Sequence, residues 1–317
     1  LSAYSATPDV AEAGPPVPRS QAILAMAAFL GAAMALEITG FGSSTNQWFL
    51  IVLAPALVLR RARAFVRDFV PFLLLVLAYE WTRTEAHRLH PSAFYTPQID
   101  ADRFLGFGQM PTVWLQQHLW HGNLDRLDRF LIFIHGLNLA APIIVLFLVW
   151  LGSRRDYLRS AGAFLGAAFA SCVGFLLFPA APPWLAAQQG LLDVTRIREL
   201  ADPATTSGLA RELFDDNPVA AIPSLHAGWS LIVVLVAFRY LPRPVGWVAL
   251  CYAVLVHFAV VYLGEHYVID LILGDAVAVG AWAVSGRVAA AREAGQPVVV
   301  PAPVLSGPQP EASASRT

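Results

Sequence analysis

Ala221-Ile222-Pro223-Ser224-Leu225-His226 and Gly264-Glu265-His266-Tyr267-Val268-Ile269-Asp270 decide the reading of this chain. Each is a short polar insert opening a long apolar run, and each sets a histidine where a membrane helix would begin. In the second stretch His266 and Asp270 are spaced i, i+4, so they share one helical face and come within hydrogen-bonding reach. A carboxylate behind an imidazole fixes the ring's tautomer and supports positive charge on it. A second histidine nearby can protonate a leaving group. Helix N-termini add unpaired backbone N–H groups and the positive end of the macrodipole, both suited to an anion. Two histidines and an aspartate so placed suit phosphoryl transfer.

The chain around these stretches has the composition of an integral membrane protein. Of 317 residues, 57% are hydrophobic and 14% charged, against an average of about 25% charged in soluble domains. The net charge of −1 leaves no basic footprint for a nucleic acid. All 21 basic residues are arginine. Cys172 and Cys251 lie in separate apolar segments, which argues for packing rather than a disulfide.

A membrane span needs about 20 apolar residues. Eight segments meet that need, some with their flanks: 21–40, 46–60, 66–82, 129–151, 157–178, 223–240, 244–263 and 266–287. The second is short and holds Pro55, a candidate kink. Gly162, Gly166 and Ala170 would let the fifth pack closely. Residues 1–19 and 289–317 are rich in Pro, Ala and Ser and read as disordered cytoplasmic tails. The expected fold is all-α and polytopic, with about eight transmembrane helices, those within 20–64 preceding a main body at 65–288.

Arginine placement orients the spans. Arg60, Arg61, Arg63 and Arg67 lie between spans two and three, Arg154, Arg155 and Arg159 between four and five, and Arg239 and Arg243 between six and seven. Arg287 and Arg292 follow the last. These loops and both termini are then cytoplasmic. The long connections 83–128 and 179–222 and both histidine stretches fall on the extracytoplasmic side of the cell membrane. The 179–222 loop sets Arg196, Arg198 and Arg211 against six acidic residues. Within 83–128, Trp114, Leu115, Leu119, Trp120 and Leu124 suggest a helix along the membrane interface.

Pro223-Ser224-Leu225-His226 and His266-x-x-x-Asp270 resemble the second and third signatures of the type 2 phosphatidic acid phosphatase superfamily. Leu225 stands where the phosphatases proper carry glycine, and Ser-Leu-His is similar to the branch of the inositol phosphorylceramide synthases. Tyr79-Glu80-Trp81-Thr82-Arg83, Ile99-Asp100-Ala101-Asp102-Arg103, Pro111 to Gln116 and Phe178 to Trp184 also resemble that branch and its bacterial relatives. The likeness covers roughly residues 65–288. It implies a six-helix catalytic core and metal-independent chemistry without a cofactor, in which a head-group phosphate such as phosphoinositol moves through a phosphohistidine. The implied donor is a phospholipid or polyprenyl phosphate. Water as acceptor makes a phosphatase; a lipid or sugar hydroxyl makes a transferase, the branch that the upstream motifs favour. A carrier or scaffold without catalysis is the reading from another class.

In that scheme His266 is the nucleophile, Asp270 its orienter and His226 the acid and later base. Ser224 either donates to the phosphate or caps a helix. The lysine-bearing first signature of the phosphatases is absent, and Val260 stands six residues before His266 where they carry arginine. Arg83 is the best substitute clamp, with Glu80 and Tyr79 to orient it. Arg103 is second, unless it pairs with Asp100 or Asp102. His135, inside span four, is placed to line the pocket, and His257 reads as a satisfied core histidine. Glu265 is placed to position an acceptor hydroxyl. His87, His90, His118 and His121 read as interfacial residues rather than metal ligands.

Overall fold

The computed structural model describes residues 24, 27–28, 45–89, 93–138, 140–201 and 219–295. Among them the chain forms α1 (Thr45–Val58), α2 (Ala62–Leu89), α3 (Thr96–Leu105), α4 (Pro111–Leu119), α5 (Arg126–Gly136), α6 (Ala140–Gly152), α7 (Arg154–Leu177), α8 (Pro183–Gln188), α9 (Ile197–Ala201), α10 (Leu225–Tyr240), α11 (Arg243–Tyr262) and α12 (Val268–Ala294). No strand occurs among the described residues; isolated parallel bridges join Phe94 to Ala180 and Ala180 to Ala220.

The architecture is all-α as expected, but length and apolarity identify fewer spans than eight. Among the described residues, α7, α11 and the stretch Val268–Arg292 of α12 are long and apolar enough to cross a membrane. A fourth crossing arises if α5 and α6, bent by 49° at their junction, count as one. The segment expected at 129–151 is therefore broken rather than continuous. α10 has 16 residues and α1 has 14, about 24 and 21 Å of helix, which is short of a 30 Å hydrocarbon core. α2 is long, with 28 residues, but carries Arg63, Arg67, Asp68, Glu80, Arg83 and Glu85. The expected span 21–40 lies outside the described residues except at 24, 27 and 28, as do the tail at 1–19 and all of the second tail beyond residue 295; α12 runs on to Ala294.

α10 stands at the centre. It packs against α6, α7, α11 and α12 and is buried nearly all round, from Ala227 to Ala237. That suits a helix apolar on every face. Its approach to α12 depends on two glycines. A Cβ at Gly274 would lie 2.1 Å from the Ser224 carbonyl oxygen, and one at Gly228 would lie 2.8 Å from that of Gly274. Glycine thus sets the separation between the two histidine-bearing stretches. α7 packs through Ala163, Ala167, Ala168 and Ser171. The Gly162–Gly166–Ala170 stripe faces outward instead, although Gly166 still passes near Ala281. Cys172 is buried and Cys251 exposed, and both are free thiols.

Far down α2 from Arg83, the carboxylate of Asp68 accepts from Arg67, Arg154 and Trp150, each at 2.9 Å, and Tyr157 donates to the Asp68 carbonyl. This knot joins α2, α6 and α7. At the histidine end the connections are laced together by backbone. Phe94 N–H donates to Pro179, Ala181 N–H to Phe94, Ala180 N–H to Val219 and Ala221 N–H to Ala180. Gln98 adds side-chain N–H bonds to the carbonyls of Phe94 and Ala181. The 83–128 connection holds α3 and α4. Leu115, Leu119, Trp120 and Leu124 pack on a core cluster that includes Leu131 and Tyr262, while Trp114 is exposed and stacks on His118.

Candidate functional site

The turn Leu263–Tyr267 between α11 and α12 carries the second histidine. Gly264 adopts φ +80° there, a left-handed conformation that glycine tolerates best. The N–H groups of Glu265 and His266 both donate to the Val260 carbonyl, at 3.0 and 3.1 Å. Trp184 N–H holds the Gly264 carbonyl. The side-chain amide of Gln116 donates to the carbonyls of Tyr262 and Thr195, each at 2.8 Å, and its oxygen accepts from Thr195 N–H. The turn is thereby fixed to α4 and to the 179–222 connection.

Asp270 is fully buried on the first turn of α12. Its Oδ2 accepts from Tyr267 N–H at 2.9 Å and faces His266 Nδ1 at 3.2 Å. With the carboxylate ionised, Nδ1 carries the proton and Nε2 of a neutral ring keeps its lone pair. That Nε2 lies 3.2 Å from Nδ1 of His226, on the first turn of α10. The expected constellation of His226, His266 and Asp270 is therefore assembled. His135, near the end of α5, stacks beside His226 with ring centroids 4.5 Å apart.

Ser224 is the N-cap of α10. Its Oγ accepts from Ala227 N–H at 3.4 Å, and its own N–H donates to the Asp270 carbonyl at 2.9 Å. Its backbone therefore ties α10 to α12 rather than facing outward. At the start of α12 the N–H groups are also taken. Asp102, buried on α3, accepts from Val268 N–H at 2.9 Å and Ile269 N–H at 2.8 Å. Burial raises the Asp102 carboxyl to about 6, against the pull of these two bonds, and the charge of Asp270 adds to the rise. The N-terminus of α12 is thus filled by protein carboxylates.

The charged residues divide. Arg83 pairs with Glu80 at 3.0 Å. Tyr79 is packed in the core near Phe169 and Trp229. Arg103 is exposed on α3, and Asp102 turns to the backbone of α12 instead of pairing with it. Glu265 does not present an open carboxylate for a hydroxyl: Arg196 meets both its oxygens, at 3.0 and 3.3 Å, and Arg198 meets one at 3.1 Å. Burial opposes ionisation of Glu265, but Arg198 and Arg196 outweigh it and bring the carboxyl down to about 2. His257 contacts the Ala253 carbonyl through Nδ1 at 2.8 Å and also Asp275 through Nε2 at 3.1 Å. No group of metal-ligating side chains occurs among the described residues; His90 lies outside them.

Sequence reasoning did not single out Arg196, Arg198 or Asp102 as site residues. The only signal for the first two was Arg-Ile-Arg at 196–198, alternating about a fully buried Ile197.

The chain is 26% identical over 236 residues to the phosphoinositol dihydroceramide synthase of Bacteroides thetaiotaomicron, an alignment covering 67% of this chain and 74% of that enzyme. It is 28% identical over 166 residues to the inositol phosphorylceramide synthase catalytic subunit of Schizosaccharomyces pombe, covering 45% of this chain and 36% of the subunit. No solved structure matches it. Residues 98–284, more than half of the chain and inclusive of both histidine stretches, match the profile of the PAP2 superfamily, and the chain belongs to that superfamily.

Proposed function

We propose that this protein is a multi-pass membrane phosphotransferase that moves a phosphoinositol-like head group from a phospholipid to a hydroxyl acceptor through a phosphohistidine on His266. The observation that carries the reading is the line His226–His266–Asp270, with both nitrogen contacts at 3.2 Å. Both relatives bear the names of inositol-phosphoceramide-type synthases, which supports transfer over hydrolysis and a lipid hydroxyl as acceptor.

Asp270 holds the proton on Nδ1 of His266, and Nε2 attacks phosphorus. The bond from phosphorus to the lipid oxygen breaks, and His226 gives that oxygen its proton. In the second half the acceptor hydroxyl loses its proton to His226 and attacks phosphorus, and the phosphorus–nitrogen bond breaks. Both histidines return to their starting states. Leu225 and His226 open α10, and their N–H groups find no acceptor among the described residues, which suits a phosphate oxygen. Arg83 and the Ser224 hydroxyl contribute to phosphate binding, and His135 lines the pocket beside His226.

The histidines meet at one end of the bundle, and Arg67 and Arg154 gather on Asp68 far along α2. This separation supports an extracytoplasmic active site with both termini cytoplasmic, and helices within 20–64 added before a catalytic body at 65–288.

The test uses purified protein in nanodiscs, offered head-group-labelled phosphatidylinositol with a lipid extract as acceptor, beside phosphatidic acid. Label moving into a new lipid, and lost in His266→Ala, is the expected result. Free phosphate from phosphatidic acid alone would make the protein a phosphatase and overturn the transferase reading.

A further inference from the structure

A phosphoryl-transfer site needs cations beside the transferred group, because charge on its oxygens must be stabilised during transfer. In this chain every such cation is an arginine. Arg83, near the end of α2, pairs with Glu80 at 3.0 Å. Among the described residues, Arg196 and Arg198 of the 179–222 connection reach Glu265, the residue before His266.

Four observations place this pair. Arg196 and Arg198 converge on Glu265, the residue directly before His266, and Glu265 and His266 hang from one carbonyl of Val260. The guanidinium groups are therefore anchored one residue from the nucleophile. The charges of Arg198 and Arg83 both reach the His226 ring, so Arg198 and His226 share one neighbourhood. Arg196 is held on a third side by the Trp184 ring, with Cζ 4.1 Å from the ring centroid, and Trp184 N–H is itself bonded to Gly264. Finally, Ile197 between them is fully buried in a core cluster with Leu131 and Tyr262, so both arginines project from a fixed point. Two forked donors oriented by a carboxylate and an indole, next to a nucleophile, match the geometry that recognises a tetrahedral phosphate.

We propose that Arg196 and Arg198, oriented by Glu265 and Trp184, form an anion-binding cradle that takes the phosphate oxygens of the substrate and stands in for the absent lysine-bearing clamp. The proposal rests on the phosphoryl-transfer reading above. Glu265 acts in it as a positioning residue. The shared ligand chemistry is a phosphate anion, whether free or carried on a lipid head group.

The first readout leaves the arginines unsubstituted. The full chain, in maltoside micelles that contain no phosphate, is treated with phenylglyoxal, which modifies arginine, and each arginine is read by peptide mass spectrometry. Inorganic phosphate is added in one arm and phosphatidylinositol in another. The expected result is at least tenfold slower modification of Arg196 and Arg198 in one or both arms, with Arg103 unchanged as an internal control. Protection by the lipid alone assigns the cradle to a head group; protection by both assigns it to phosphate itself. Equal modification of Arg196 and Arg198 in all arms, while His266-dependent transfer proceeds, overturns the cradle and leaves the transfer reading standing. Protection without any His266-dependent transfer sinks the transfer reading and keeps the cradle as an anion site. As a second readout, Arg198→Gln should raise the apparent KM for the lipid donor about tenfold, and Arg198→Lys should recover part of that loss, a rescue that a purely structural arginine would not show.

Discussion

His226 and His266 face each other ring nitrogen to ring nitrogen at 3.2 Å, although 40 residues separate them in sequence. Asp270 stands behind only one of the two. This asymmetry supports the roles proposed above. His266 has its Nδ1 occupied by Asp270 and its Nε2 facing His226; His226 has no carboxylate partner among the described residues and is the proton carrier in the proposed scheme. His266→Ala should therefore abolish transfer and any covalent phosphoenzyme. His226→Gln should lower transfer from a natural lipid by roughly 10²–10⁴-fold, the usual span for a general acid. With a donor whose leaving group needs no proton, such as a nitrophenyl phosphodiester, His226→Gln should still form the phosphoenzyme and His266→Ala should not. A His226→Gln protein equally impaired with both donors would refute the acid role.

The distance between the two histidines depends on two residues that carry no functional group. A Cβ on Gly274 would meet the Ser224 carbonyl at 2.1 Å and could not be relieved by a rotamer change, because the obstacle is backbone. Gly274→Ala should push the start of α10 away from α12, open the histidine pair and cost about 1–3 kcal/mol of stability, as overpacking does. Gly162→Ala, whose Cβ would meet nothing within 4 Å, is the control and should raise the melting temperature slightly, as Gly→Ala in a helix interior does, and leave transfer unchanged. Thermal melts in micelles alongside transfer assays separate the two outcomes.

The histidine–aspartate line was legible because its information is local. An i, i+4 spacing and two short motifs specify it, and the family resemblance joins their ends. Asp102 was not legible, because its role is tertiary: it accepts N–H bonds from residues 166 and 167 positions away. In the sequence its charge looks like a partner for the neighbouring Arg103. The arginines on Glu265 were hidden for the same reason, since they lie 69 and 67 residues upstream. The span count differs from the three or four that length and apolarity identify among the described residues on another ground. Hydropathy counts apolar runs, and it does not see that α10 is short or that the run at 129–151 bends between Gly136 and Ala140. All-α architecture and membrane character do not depend on either point.

Asp102 leads to a pH prediction. Its folded-state carboxyl is raised from 3.8 to about 6, so it contributes stability while protonated, fully below about pH 3.8, and that contribution is lost as pH rises through about 6. Asp102→Asn has no such titration. The stability of the variant relative to the parent should rise between pH 4 and 7, by at most about 3 kcal/mol for a shift of this size. Asp102→Ala shares that pH dependence but is offset downward at every pH, because Val268 and Ile269 N–H groups lose their acceptor at about 1–3 kcal/mol each. It should also lower transfer through displacement of α12. Denaturant melts from pH 4 to 7 read both effects; a flat difference between Asp102→Asn and parent would remove Asp102 as the titrating group.

Glu265 runs in the other direction. Its carboxyl is lowered from 4.5 to about 2, with burial opposed by Arg198 and Arg196. A depressed acid stabilises the fold above its unfolded value, and here that contribution is present above about pH 4.5 and lost as pH falls toward 2. Glu265→Gln should therefore be less stable than the parent near neutral pH, by at most about 3–4 kcal/mol for a shift of this size, and the gap should close as pH is lowered from 4.5. The same variant keeps His226, His266 and Asp270 but releases the carboxylate anchor of Arg196 and Arg198. Its transfer should fall through KM for the phosphorylated donor more than through the chemical step, since uniform binding is what an anchored cation supplies. Melting curves for Glu265→Gln and parent that stay parallel from pH 7 to pH 3 would show that Glu265 is not held ionised by the arginines in solution.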